Sequence, residues 1–146
     1  MSNAVFIGTV MPSGQLVSCY DALVSAGFPS PALDHMEQKI SLDQLLDVHA
    51  PHTYLVRVRG DSMTGAGIHD GDILVVSRAL TAGHGDIVVA AVNGEVFVKR
   101  LIRRGQQLIL QPENPQFASL HVLEGDELQI WGVVRNSIRW HLTCEK

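Results

Sequence analysis

A mostly β body, barrel- or sandwich-like, with an extended N-terminal arm and one short helix is the fold this sequence predicts. Three observations predict it. From residue 53 onward, short apolar runs of strand length recur between Gly, Pro, Asn and Asp turn signals. One pair of these runs is joined by Asn93-Gly94, a strong hairpin signal. A helix start is written at residue 41. At 146 residues the chain is long enough for one well-buried core.

Residues 1–40 read as a flexible arm and residues 41–146 as the body. Pro12-Ser13-Gly14, Gly27, Pro29 and Pro31 punctuate the arm and leave short apolar scraps between them. Val5-Phe6-Ile7 and Ala22-Leu23-Val24 could each add to a sheet edge as a short strand. Ser41 and Gln44 form a capping box. Ile40 and Leu45 suit the hydrophobic staple around it, Leu42, Leu45 and Leu46 make an apolar stripe, and Pro51 closes the helix.

Strands are predicted at 54–58, 72–76, 86–101 as a hairpin, 107–110 and 129–134. Pro112 and Pro115 mark a loop. In the hairpin a two-residue turn fixes the register: Val92 faces Glu95, Ala90 faces Phe97 and Val88 faces Lys99. Side chains alternate along a strand. Lys99 therefore shares a face with Phe97 and Leu101, opposite Val88, Ala90 and Val92.

A lysine on that face must reach water, find a partner or lose its proton. Burial disfavours the ammonium and lowers a lysine pKa by about 3 to 5 pH units when complete. The resulting neutral amine could take a proton from a hydroxyl. On strand pattern alone the commoner outcome is a lysine that snorkels its head to solvent at the strand end. Ser62, in Gly60-Asp61-Ser62-Met63, follows a predicted strand and by itself reads as a turn residue. A serine hydroxyl becomes a useful nucleophile when a base lies within hydrogen-bond reach, and Ser-Lys pairs are one such arrangement. Neighbouring glycines let backbone N–H groups approach a reacting carbonyl.

Four stretches in this order, Gly60-Asp61-Ser62-Met63, Gly67-Ile68-His69-Asp70-Gly71-Asp72, Gly85-Asp86-Ile87-Val88 and Val96-Phe97-Val98-Lys99, resemble the self-cleaving serine peptidases of the LexA repressor and UmuD group. Ala26-Gly27-Phe28-Pro29-Ser30-Pro31-Ala32 resembles the cleavage region of UmuD. The likeness runs from about residue 23 to residue 134. It implies a LexA-type peptidase body, with Ser62 as nucleophile, Lys99 as general base, Ala26-Gly27 as the scissile bond, and Gly60, Asp61 and Met63 as oxyanion or turn support. It further implies cleavage promoted by a RecA filament on single-stranded DNA. The shortened product would be a homodimer that serves a Y-family translesion DNA polymerase as accessory subunit in the SOS response. No cofactor is implied.

Two other readings remain. One is a non-catalytic subunit that docks on a polymerase or filament and whose cleavage is incidental. The other is a repressor of the LexA type, which needs a DNA-binding domain ahead of the cleavage site. The first 26 residues lack two helical patterns and cannot supply a helix-turn-helix.

Composition narrows the field further. A net charge of −4 argues against holding DNA by phosphate neutralisation. Neither a basic, apolar leader nor a run of about 20 apolar residues is read, so a cytoplasmic protein is expected, away from membranes. Cys19 and Cys144 show no disulfide or metal spacing. Of seven histidines, His49 and His52 straddle Pro51 without a second pair, so no metal is expected. A Ser-His-Asp triad through His69 or His84 lacks the G-x-S-x-G elbow. Gly65-Ala66-Gly67 is not a dinucleotide fingerprint. Asp61, Asp70, Asp72 and Asp86 all flank glycines and read as turn formers.

Overall fold

Ten strands account for most of the described chain: β1 Ala4–Thr9, β2 Leu16–Asp21, β3 Met36–Ser41, β4 Thr53–Val58, β5 Ile73–Ser77, β6 Ile87–Val92, β7 Glu95–Arg104, β8 Gln107–Gln111, β9 Leu120–Val122 and β10 Leu128–Ile138. One helix, α1 Leu42–Leu45, and one 3₁₀ turn, Thr64–Ala66, complete the described elements. The structure is a computed structural model and describes residues 3–9, 16–21, 36–48 and 51–142. The mostly β expectation holds.

The chain divides into two compact units, Met1–Val10 with His49–Lys146, and Met11–Val48. Residues 4–9 belong with the larger unit, because Val5-Phe6-Ile7 does add to a sheet edge: β1 pairs antiparallel with β4, Ala4 opposite Val58. Within the smaller unit β2 and β3 form a two-stranded antiparallel ladder, Leu16 opposite Ser41. Ser41 caps α1 by accepting from the Asp43 N–H at 3.2 Å. The helix stops at Leu45, well before Pro51. Leu46 is its C-cap, and Asp47 then turns left-handed at φ 52°.

The larger unit is one eight-stranded sheet in the order β1-β4-β5-β10-β6-β7-β8-β9, every neighbouring pair antiparallel. The β6–β7 register is the predicted one: Val92 opposite Glu95, Ala90 opposite Phe97, Val88 opposite Lys99. Asn93 and Gly94 both take positive φ, 51° and 86°, as a type I′ turn requires. Strand β6 is buried on both faces. Val89 joins a core with Tyr54, Val56, Val58, Met63, Leu74, Val76 and Val98. Its neighbours Val88, Ala90 and Val92 join a second core with Leu101 and Leu110. A hydrophobic side chain fully buried this way contributes roughly 1.5–3 kcal/mol. The sheet is thereby held between two cores, with Lys99 on a strand that both of them pin.

Candidate active site

Strand β4 ends at Val58, and the chain turns at Gly60, whose φ of 83° suits glycine. The Asp70 carboxylate holds this turn by accepting the Gly60 N–H at 2.7 Å. Ser62 and Met63 follow. Met63 is fully buried in the first core and anchors the segment. The 3₁₀ turn after it lies so close to the loop at Glu113 that a Cβ on Gly65 would sit 2.6 Å from the Glu113 carbonyl oxygen. Gly65 N–H donates to that carbonyl at 2.7 Å, and Glu113 N–H donates to the Ser62 carbonyl at 2.9 Å. Asn114 Nδ2 donates to the Asp61 carbonyl at 2.8 Å. The Pro112–Pro115 loop read from sequence thus braces the Ser62 turn from outside. Arg100 in turn ion-pairs with Glu113 and donates to the Gly85 carbonyl.

Ser62 Oγ and Lys99 Nζ lie 2.7 Å apart. Both residues are buried, at 5% and 8% exposure. Burial pushes the Lys99 pKa from its ordinary value of 10.5 down to about 8. The Phe97 ring centroid is 5.8 Å from the ammonium nitrogen, close enough for a weak cation–π attraction. Phe97, Arg59, Gly60, Asp61, Phe117, Ala118 and Asn3 line the same cleft. No histidine is among these lining residues, so neither His69 nor His84 joins Ser62 here. His84 instead accepts the Arg103 N–H through Nδ1.

Gly60 donates its N–H to the Asp70 carboxylate at the turn that leads into Ser62. Asp70, Asp72 and Asp86 close turns by accepting the N–H groups of Gly60, His69 and Gly83. Asp72 does more: its buried carboxylate receives a two-pronged contact from Arg139, at 2.8 and 2.7 Å. Ala26 and Gly27 lie outside the described residues, as does Cys144. Cys19 sits in β2. Among the described residues no cluster of metal-ligating side chains occurs, and no helix is long and apolar enough to cross a membrane.

Asn3, Glu113 and Asn114 were missed in the sequence. The prolines marked the loop that carries the latter two. Nothing marks Asn3, since its place depends on where β1 docks.

The Peptidase S24-like family matches residues 18–135 of the chain. The chain belongs to this family. It is 43% identical to protein MucA of Salmonella typhimurium over 122 residues, which is 83% of each chain. It is also 43% identical to the LexA repressor of Bordetella avium over 118 residues, 81% of this chain and 55% of that one. The LexA repressor of Bordetella pertussis matches at 44% over 125 residues, 86% of this chain and 57% of the repressor. The chain therefore aligns with little more than half the length of these repressors. Membership in the LexA and UmuD group makes it a serine peptidase of the self-cleaving, SOS-related kind.

Proposed function

We propose that Ser62 and Lys99 are the catalytic pair and that the chain cuts its own Ala26-Gly27 bond. The observation that carries this reading is the 2.7 Å contact between Ser62 Oγ and an amine whose pKa burial has lowered to about 8. A neutral amine at that distance can accept the hydroxyl proton.

The chemistry is acyl transfer. Ser62 Oγ bonds to the Ala26 carbonyl carbon as its proton passes to Lys99. Backbone N–H groups of Ser62 and Met63 receive the charge that develops on the carbonyl oxygen. The C–N bond breaks, and Lys99 returns the proton to the departing Gly27 nitrogen. Water then attacks the ester carbonyl carbon as Lys99 takes one of its protons. The bond from that carbon to Ser62 Oγ breaks, and Lys99 returns the proton to Oγ. The Ala26 carboxyl loses its remaining proton to solvent and leaves as the carboxylate.

Cleavage is promoted by a RecA filament on single-stranded DNA, and the shortened chain is a dimeric accessory subunit of a Y-family translesion polymerase. The support for this is the resemblance to UmuD and the match to MucA, which covers an equal share of both chains.

Intact mass after incubation at pH 10 tests the core of it, with Ser62→Ala and Lys99→Ala alongside. Loss of residues 1–26 from the wild type alone, leaving 120 of 146 residues, is the expected result. An uncut wild type, even with activated RecA filament added, would replace this reading with that of a binding subunit.

A further inference from the structure

We propose that Asn3 is a positioning residue of the Ser62–Lys99 pair, its side-chain amide aiming the Ser62 hydroxyl at the lysine. The inference rests on Ser62 and Lys99 being nucleophile and base. It adds a third member, drawn from the start of the chain.

Asn3 is 8% exposed and lies where two strands approach each other. Its backbone N–H donates to the Val96 carbonyl at 3.0 Å, and its carbonyl accepts the Arg59 N–H at 2.9 Å. It thus joins the end of β4 to the edge of β7. The side chain continues the join: Oδ1 accepts the Val98 N–H at 2.6 Å, and Nδ2 donates to the Val98 carbonyl at 3.3 Å and to Ser62 Oγ at 3.1 Å.

These contacts fix the orientation of the amide. The Val98 N–H can only donate, so the atom that meets it is the amide oxygen. The NH₂ group is then forced toward Ser62. An amide NH₂ offers no acceptor, so the Ser62 hydroxyl hydrogen cannot point at Asn3. The other polar atom on Ser62 Oγ is Lys99 Nζ. When Lys99 is neutral, its lone pair is the acceptor left for that hydrogen. The geometry therefore selects the one hydroxyl rotamer from which the proton passes directly from Oγ to Nζ. The donated N–H also places the positive end of a dipole against the oxygen as it gains charge.

Asn3 belongs to the segment that cleavage at Ala26-Gly27 would detach. The uncut chain thus supplies part of its own catalytic arrangement from the piece it removes.

The test reads Ser62 directly, without requiring cleavage. A fluorophosphonate that labels activated serines is added to full-length protein across pH 6 to 10. Labelling of the uncut chain is followed by intact mass, which separates it from any product lacking residues 1–26. Wild type, Asn3→Ala, Asn3→Asp and Ser62→Ala are compared. Asn3→Ala should label about tenfold to a hundredfold more slowly, because the hydroxyl is no longer held in line. Asn3→Asp keeps the shape and the Val98 N–H acceptor but replaces the donor with a carboxylate. A charge within about 6 Å of Nζ favours the ammonium, so the labelling midpoint should rise by about one pH unit or more. Arg59 and Asp61, the other charged residues lining the cleft, are the same in every variant. Circular dichroism at each pH confirms that every variant stays folded across the series, so a weakened fold cannot imitate a movement of the midpoint. An Asn3→Asp midpoint equal to that of wild type overturns the proposal. So does a wild-type rate in Asn3→Ala. A wild type that never labels at Ser62 overturns the nucleophile assignment, and this inference with it.

Discussion

Val88 and Lys99 are direct cross-strand partners in the β6–β7 hairpin, and Val88 is completely buried. A cationic residue is thus paired with a core valine. The hairpin turn that fixes this pairing also fixes the face from which the Lys99 side chain starts, and the contact with Ser62 Oγ at 2.7 Å keeps its amine buried.

The first consequence concerns pH and rate. With the lysine pKa near 8, the neutral fraction grows about tenfold per pH unit below that value and levels off above it. Unassisted self-cleavage should accelerate by about 50-fold between pH 6 and pH 8, then flatten toward pH 10. Single-turnover cleavage followed by gel densitometry checks this. A rate independent of pH from 6 to 10 would remove Lys99 as the titrating base.

The same burial has a cost in stability. The native value lies below the ordinary 10.5, so the folded state disfavours the ammonium. That cost is present in full below about pH 8 and fades as pH rises toward 10.5. Lys99→Met fills similar space without the charge. It should raise the thermal unfolding midpoint by about 2 to 6 °C near pH 6.5, with the gain shrinking by pH 10. Calorimetry at the two pH values decides it, and an equal gain at both would contradict a buried titrating amine.

Arg139 and Asp72 make the opposite case. The Arg139 hydrogen bond holds the Asp72 carboxyl below its ordinary 3.8, outweighing the burial that would raise it. The pair's contribution is therefore present above pH 3.8 and lost as pH falls through the depressed native value. Arg139→Met should lower the unfolding temperature at pH 7, because the Asp72 carboxylate is left buried without its cation. The gap between variant and wild type should narrow as pH falls below 3.8. A gap that stays constant with falling pH would assign the effect of Arg139 to packing or to its bond with the Gly67 carbonyl at 2.7 Å.

Gly65 tests the brace around Ser62. Its Cβ would meet a backbone oxygen, which cannot swing aside as a flexible side chain could. Gly65→Ala should destabilise the protein by about 1–3 kcal/mol in urea unfolding. It should also slow labelling of Ser62, because the displaced loop carries the Glu113 N–H that holds the Ser62 carbonyl. A variant as stable and as reactive as wild type would show that the close approach has no structural role.

Much of this was legible in the sequence because it is local. Asn93-Gly94 dictated the turn, the turn dictated the register, and alternation then put Lys99 on the face of Phe97 and Leu101. Val5-Phe6-Ile7 advertised a strand without saying where it would pair. The β2–β3 ladder escaped notice because 14 residues, 22–35, separate its strands and residues 36–41 are largely polar. Strand pairing across such a gap is not encoded in either segment alone.

By itself, then, the sequence determined the mostly β body, the hairpin and the strand face on which Lys99 stands, and through its motifs the family. What only the tertiary structure decided is which groups meet at Ser62. In the sheet order β5, β10 and β6 stand between β4, which leads to Ser62, and β7, which carries Lys99. The two ends nevertheless meet because Val58, Met63 and Val98 share one core. Asn3 reaches the same point because β1 docks beside β4. Hydrogen bonds act over about 3 Å, so a contact between residues 3, 62 and 99 exists only once the long-range packing has closed. No local pattern could have announced it.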